Sequence, residues 1–301
     1  MRLFSPEHET AESAKESLLH ILHREPMQFG VNRSRWSLSS LLGECNWLRV
    51  TTEGGLSTLL KRLGIHYKRG RDYVRSPDAD YTAKVEQIEH LKLRAWYAPE
   101  QYVLLYQDEM TYYRQPTLSY AYEAAGAEQP LAFRSHRSNT SFRIAATLNA
   151  VTGQVHYRQR SRIDRFQLVH FFADVVQAYP TVETIYIVLD NWPVHFHPDV
   201  LAALEPQRHL RWSSHFPPNW PATTTRTPAF TNLPIQLVPL PTYASWLNPI
   251  EKLWRWLRQD LLHLHRFSNR WDALKQRVSL WLDTFSSPSN PLLRYVGLLP
   301  N

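Results

Sequence analysis

The chain has 301 residues, enough for one sizeable core and a small accessory domain, and its 43% hydrophobic and 20% charged content excludes a disordered polymer. Lys and Arg exceed Asp and Glu by seven, which points to an anionic partner, nucleic acid first. A single cysteine, Cys45, excludes a disulfide scaffold, and no apolar run nears the roughly 18 residues of a membrane span, so a soluble intracellular protein is expected.

Residues 1–30 are mixed, with a short helix expected from Ala14 to His23 and stopped by Pro26. Between 33 and 75 the charge changes: nine Lys and Arg face three acids, so most of the excess charge sits there. Trp36, Leu38, Leu41 and Leu42 predict one helix capped by Ser37, and Leu56, Leu59, Leu60 and Leu63 a second closed by Gly64. The pair resembles a helix-turn-helix with a basic trailing arm, although Gly54 and Gly55 weaken the second helix. Arg49, Lys61, Arg62, Lys68, Arg69 and Arg71 are its candidate DNA-binding residues. The plainer alternative is a helical pair with a solvated basic face. A linking helix is expected over 78–99, dividing a DNA-binding domain over 1–77 from a larger domain over 100–301.

The larger domain opens on strand-like Tyr102–Tyr106, followed by Gln107-Asp108-Glu109. Tyr112–Tyr113 and Leu118–Tyr122 read as further strand material, and 142–148 with 154–157 as a hairpin around Thr152-Gly153. A helix from Phe166 to Ala178 comes next, then the β-branched run Thr184–Leu189, which ends abruptly in Asp190-Asn191. A helix from Pro198 to Leu204 and a Pro- and Thr-rich insertion over 206–234 precede a last short strand, Ile235–Val238. A helix starts at Asn248-Pro249-Ile250-Glu251, and another runs from Trp271 to Phe285. Successive strands with no helix between them, then helices alternating with strands, predict a mixed α/β sheet and not a doubly wound one. No glycine-rich phosphate loop and no Gly-x-Ser-x-Gly elbow is present.

Three carboxylates stand out. Asp108 follows the first strand, Asp190 ends the central one, and Glu251 opens the helix after the last. Read locally, Glu251 is a capping-box partner of Asn248. Brought together, the three carboxylates would repel one another unless a divalent cation neutralised them, and all-oxygen donors favour Mg²⁺ or Mn²⁺. Two such ions can activate a nucleophile and stabilise the leaving oxygen of a phosphodiester. His195 with His197, and His263 with His265, lack the cysteine or Glu-x-x-His support of a zinc site.

Gln107-Asp108-Glu109, Leu189-Asp190-Asn191-Trp-Pro-Val-His195 and Leu240-Pro-Thr-Tyr-Ala-Ser-Trp-Leu-Asn-Pro-Ile-Glu251-Lys-Leu-Trp254 closely resemble the signatures of mariner-like DDE transposases, nearest in the bacterial insertion sequence 630 family. The resemblance covers about residues 30–300. It implies an α/β, RNase H-like catalytic domain behind a small helix-turn-helix domain, and two Mg²⁺ ions, with Mn²⁺ able to substitute, held by Asp108, Asp190 and Glu251. The implied chemistry is hydrolysis at transposon ends to free 3′-hydroxyls, followed by their direct attack on target DNA. The implied partners are double-stranded DNA, as terminal inverted repeats and target, and a homodimer or higher assembly of the chain. The implied place is the bacterial cytoplasm, at the nucleoid. Asn191 is expected to orient Asp190; His195 either approaches the scissile phosphate or is a structural histidine of the turn. Glu109 is turned to the other side of the strand.

Two departures qualify the match. Sixty residues separate Asp190 from Glu251, more than the mariner pattern has, and the insertion at 206–234 accounts for the excess, as a DNA- or subunit-contacting loop or as a tolerated insertion. Only one helical unit precedes Asp108 where the family has two. A non-catalytic DNA-binding remnant, or an RNase H-like nuclease without strand transfer, are the alternatives.

Overall fold

The computed structural model describes residues 10–68, 75–205 and 217–300. The chain divides into two compact units, 1–73 and 74–301. Among the described residues, no helix is long and apolar enough to cross a membrane.

In the first unit, α1 (Ala11–Leu22), α2 (Leu38–Glu44) and α3 (Glu53–Arg62) enclose Leu18, Leu41, Cys45, Leu48, Leu56 and Leu59. Each helix start satisfies its free N–H groups with a hydroxyl: Thr10 caps α1, Thr52 caps α3, and Ser37 with Ser40 forms a capping box on α2. The expected helix pair is therefore present, but residues 45–52 link it, a longer connection than the three or four residues of a compact helix-turn-helix. Gly55 weakens α3 in propensity and repays it in space, because a Cβ there would lie 2.7 Å from Val50 Cγ1.

The second unit is built on a five-stranded sheet of order β3-β2-β1-β4-β5, made by Tyr102–Tyr113 (β1), Ser141–Asn149 (β2), Val155–Arg160 (β3), Thr184–Leu189 (β4) and Ile235–Pro239 (β5). The first three strands are antiparallel neighbours, and β4 runs parallel to both β1 and β5. Side chains alternate across β1. Val103 and Leu105 face a core made with α5 (Arg165–Ala178) and α6 (Pro198–Leu201). Leu104, Tyr106 and Met110 face the other core, with α4 (Tyr81–Tyr97), α7 (Ile250–Leu257), α8 (Trp271–Asp283) and α9 (Asn290–Val296). Helices thus cover both faces. Residues 78–99, expected as a linking helix, fall within this unit, and Ile88, Leu91 and Ala95 of α4 are buried in its core.

Three local expectations are corrected. Asp108 does not follow β1 but lies inside it, since pairing with β2 (Asp108 opposite Ala146) carries the strand through its polar stretch. Leu118–Tyr122 is not a strand: Leu118, Tyr120 and Tyr122 are exposed and have no ladder partner. α9 was not foreseen at all. The described part of the insertion, 217–234, is anchored and not free. Buried Asp199 accepts from Thr225 N–H and Oγ1, both at 2.6 Å, and from Arg165 Nε at 2.6 Å. Residues 206–216 of that expectation lie outside the described residues.

The turn between β2 and β3 depends on Gly153, which has φ 72 and would, with a Cβ, place it 2.5 Å from the Ser289 carbonyl oxygen and 2.9 Å from Leu293 Cγ. Both the left-handed backbone and the lack of room oppose a side chain. Gly153→Ala is expected to lower stability by about 2–4 kcal/mol, read from denaturant midpoints at constant m-value.

Candidate active site

The site forms where β1, β4 and α7 meet. Asp108 is on the β1 face that carries Leu104, Tyr106 and Met110, towards α7. Its Oδ1 accepts the Glu109 N–H and its Oδ2 accepts Trp254 Nε1–H, each at 2.9 Å. Trp254 is three residues beyond Glu251, so this bond sets the first turn of α7 against β1. The Asn248 amide adds a second tie, donating to the Gln107 carbonyl at 3.0 Å. Asn248 is therefore not the side-chain cap expected from the sequence, and α7 starts without one. Asn248 Oδ1 accepts no hydrogen bond from the described residues and the Asn248 N–H goes to the Ser245 carbonyl, so Glu251 is left free of a capping role.

Asp190 is the first residue beyond β4. The parallel pairing of Tyr106 with Val188, continued two residues, brings Asp190 alongside Asp108. Its Oδ1 accepts the Trp192 N–H at 2.9 Å, turning the chain sharply. Asn191, expected to orient Asp190, instead donates to the Leu240 carbonyl at 2.7 Å and fastens the end of β4 to that of β5.

Electrostatics link the three carboxylates. Burial, then the charges of Glu109 and Asp190, push the Asp108 carboxyl up to about 7 against the two N–H groups that favour its ion. Burial raises Glu251 as well, opposed by the Ser245 hydroxyl and the charges of Arg258 and Arg255, with Asp190 adding to the rise. Asp190 is thus felt by both of the others. Burial works against its own ion too, but the hydrogen bond and charge of His195 hold it below the ordinary carboxylate value.

His195 is fully buried, a placement that fits the structural histidine of the turn. Its Nδ1 lies 3.2 Å from Asp190 Oδ1 and its Nε2 3.2 Å from Glu109 Oε1, and Glu109 also accepts Gln107 Nε2–H at 2.8 Å. Burial opposes charge on the ring, yet the flanking Glu109 and Asp190 overcome it and push its pKa up to about 10. Glu109, turned to the far face as alternation requires, therefore acts on the site through this ring. The tryptophan and asparagine ties from α7 and the Glu109–His195 bridge were not foreseen; the Asn-Pro-Ile-Glu-Lys-Leu-Trp motif that contains Asn248 and Trp254 was the available signal.

Among the described residues, no group of three His, Cys, Asp or Glu side chains is gathered closely enough to hold a metal ion as it stands. The donor chemistry nonetheless fits a hard divalent cation: the oxygens are all carboxylate, and their mutual repulsion is what such a charge relieves. The other histidines make separate contacts, His197 with Asp199 at 3.5 Å and His263 with Thr117 Oγ1 at 2.8 Å. In the first unit Arg49, Lys61, Arg62 and Lys68 are exposed, while Arg69 and Arg71 lie outside the described residues.

A mixed sheet of this order, covered by helices on both faces, with one carboxylate inside β1, one just beyond the adjacent parallel β4 and one on the helix packed beside them, defines an RNase H-like nuclease fold. A family model described as DDE superfamily endonuclease matches residues 103–275. The chain belongs to that family, and its resemblance to the mariner-like transposases of the insertion sequence 630 branch is borne out. A 39 kDa protein of insertion element IS630 from Shigella sonnei is 22% identical over 271 residues, spanning 89% of this chain and 70% of that protein. The Mos1 mariner paired-end complex with Mn is similar with a TM-score of 0.61 and 15% identity, over 95% of this chain and 75% of that one. The pre-cleavage Mos1 transpososome gives the same values. At such identity these two structures speak for the fold.

Proposed function

We propose that the chain cuts the terminal inverted repeats of an insertion sequence by metal-dependent hydrolysis and joins the freed 3′-hydroxyls to target DNA. The observation that supports this reading is the position of Asp190, alongside Asp108 in the parallel register and within the field of Glu251. Asp108, Asp190 and Glu251 would hold two Mg²⁺ ions, or Mn²⁺ in their place. When bound, such ions activate the attacking oxygen and offset charge on the leaving one.

The protein's own part is to hold the three carboxylates still. Asp108 is fixed by Glu109 N–H and Trp254 and Asp190 by Trp192 N–H and His195, while Glu251 is carried on the first turn of α7, which Asn248 and Trp254 hold on β1. In the first step a water oxygen bonds to phosphorus and the 3′-oxygen leaves as a hydroxyl. In the second, that hydroxyl attacks a target phosphate and displaces its 3′-oxygen, conserving the number of phosphodiester bonds without a protein–DNA covalent link. The exposed Arg49, Lys61, Arg62 and Lys68 suit phosphate contacts to the ends, with a helix-turn-helix mode and a paired-end homodimer as parts of the proposal.

The test is cleavage of labelled DNA carrying the element's own terminal repeats. Strand breaks are expected with Mg²⁺ or Mn²⁺ and none with chelator, followed by joined products when target DNA is added. Cutting that persists in chelator overturns the metal assignment. Binding without cutting identifies a remnant, and cutting without joining identifies a nuclease.

A further inference from the structure

The connection from β5 to α7 is held more firmly than a surface loop requires. Ser76 Oγ donates to the Thr242 carbonyl at 2.6 Å, and the Thr242 N–H donates to Asp78 Oδ2 at 2.8 Å. Asp78 is itself locked by Lys84 Nζ at 2.8 Å, both side chains being nearly buried. At the other end Asn248 is tied to β1. Between these clamps Tyr243 has φ 54, a left-handed conformation that costs a tyrosine about 1 kcal/mol or more and would cost glycine little.

That strain presents a ring to solvent. Tyr243 is 74% exposed and Trp246 49% exposed, and neither ring has a hydrogen-bond, aromatic or cation–π partner among the described residues. Isolated exposed aromatics are ordinary. Here two are carried on the same short connection that leads into Glu251 at the start of α7. Arg255 of α7 and Arg258, the residue that closes it, follow Glu251 at spacings of four and seven and so lie towards its face. Both are exposed, and neither is in an ion pair among the described residues.

We propose that Tyr243 and Trp246 form a stacking platform for unpaired DNA bases next to the scissile phosphate, with Arg255 and Arg258 on the flanking phosphates. The inference rests on the cleavage function proposed above and names the form of DNA that the site takes. A paired duplex hides its base faces, so rings presented in this way suit an end whose terminal pairs have opened. Base–aromatic stacking offsets the cost of opening them, and cations held on one side keep the backbone at the carboxylates.

Tyr243→Gly is the informative variant, because glycine adopts the same backbone without strain and the chain stays folded. On fully paired terminal-repeat DNA its cleavage rate is expected to fall about 5- to 100-fold, with Tyr243→Phe close to wild type. On the same DNA with mismatched pairs at the cut, most of the loss should vanish. Trp246→Ala should behave likewise. Equal loss on paired and mismatched ends, or no loss on either, overturns the inference while leaving the cleavage function standing. If the wild-type chain cuts neither substrate, the cleavage reading fails, and binding still decides the platform. An unpaired 2-aminopurine at the DNA terminus should be quenched by wild type and Tyr243→Phe but not by Tyr243→Gly, and equal quenching by all three rejects it.

Discussion

Asp190→Asn is expected to reduce end cleavage by at least about a thousandfold while the protein melts within a few degrees of wild type. The asparagine keeps an oxygen for the Trp192 N–H, so the turn beyond β4 survives. What it removes is the one charge that both other carboxylates sense. Glu251→Gln should act similarly, since α7 is held on β1 by Asn248 and Trp254 and not by Glu251. Binding of terminal-repeat DNA by either variant, measured by mobility shift, should stay within a few-fold of wild type. Retained cleavage in both would remove these carboxylates from the chemistry.

The second large effect is on stability in chelator. Asp108 ionises near 3.8 when unfolded and near 7 when folded, so between those values the folded chain holds a proton that the unfolded chain has lost. The Asp108 contribution to stability therefore falls as pH rises from about 4 to about 7, by up to roughly 4 kcal/mol, and is constant above. His195 extends the decline: its charge in the fold contributes fully below about 6.5 and is lost as pH passes through about 10. Asp78 and Asp199, held down to about 2, act below pH 4 and leave this window untouched. Thermal melts in chelator from pH 4.5 to 7.5, compared between wild type and Asp108→Ala, should show a steeper decline in the wild type, the difference being the Asp108 contribution. Mg²⁺ should raise the melting temperature more at pH 8 than at pH 5, because it binds the ionised carboxylates. Identical pH profiles for wild type and Asp108→Ala would contradict the account of Asp108.

The sequence exposed the site because its carboxylates interrupt apolar runs. Asp190 ends a strand buried on both faces, and a charge there has few structural reasons to exist. The sheet was legible for the same reason, from alternation and from the places where helices separate strands. Side-chain partners distant in sequence were not. Asn248 carries every local mark of a cap, yet its amide donates to a carbonyl on β1 and its Oδ1 caps nothing, and Asn191 bonds Leu240 in place of Asp190. Leu118, Tyr120 and Tyr122 have strand propensity but no neighbour to pair with, which composition cannot reveal. α9 was overlooked despite clear marks: Ser289 as cap, Pro291 in the first turn and Gly297 at φ 85 beyond its end.

The strand order has a kinetic consequence. β2 and β3 are joined by a tight hairpin, and β1 pairs with β2 across a 27-residue excursion, both closer in sequence than the pairings of Tyr102 of β1 with Thr184 of β4 and of Ile185 with Ile235 of β5. Such distant parallel pairings close large loops and form slowly. Asp108 stands on the early side of that divide, Asp190 and Glu251 on the late side. The cutting centre therefore arises only in the last stage of folding, and a half-folded chain exposes the apolar edge of β1, open to aggregation, before it can break DNA.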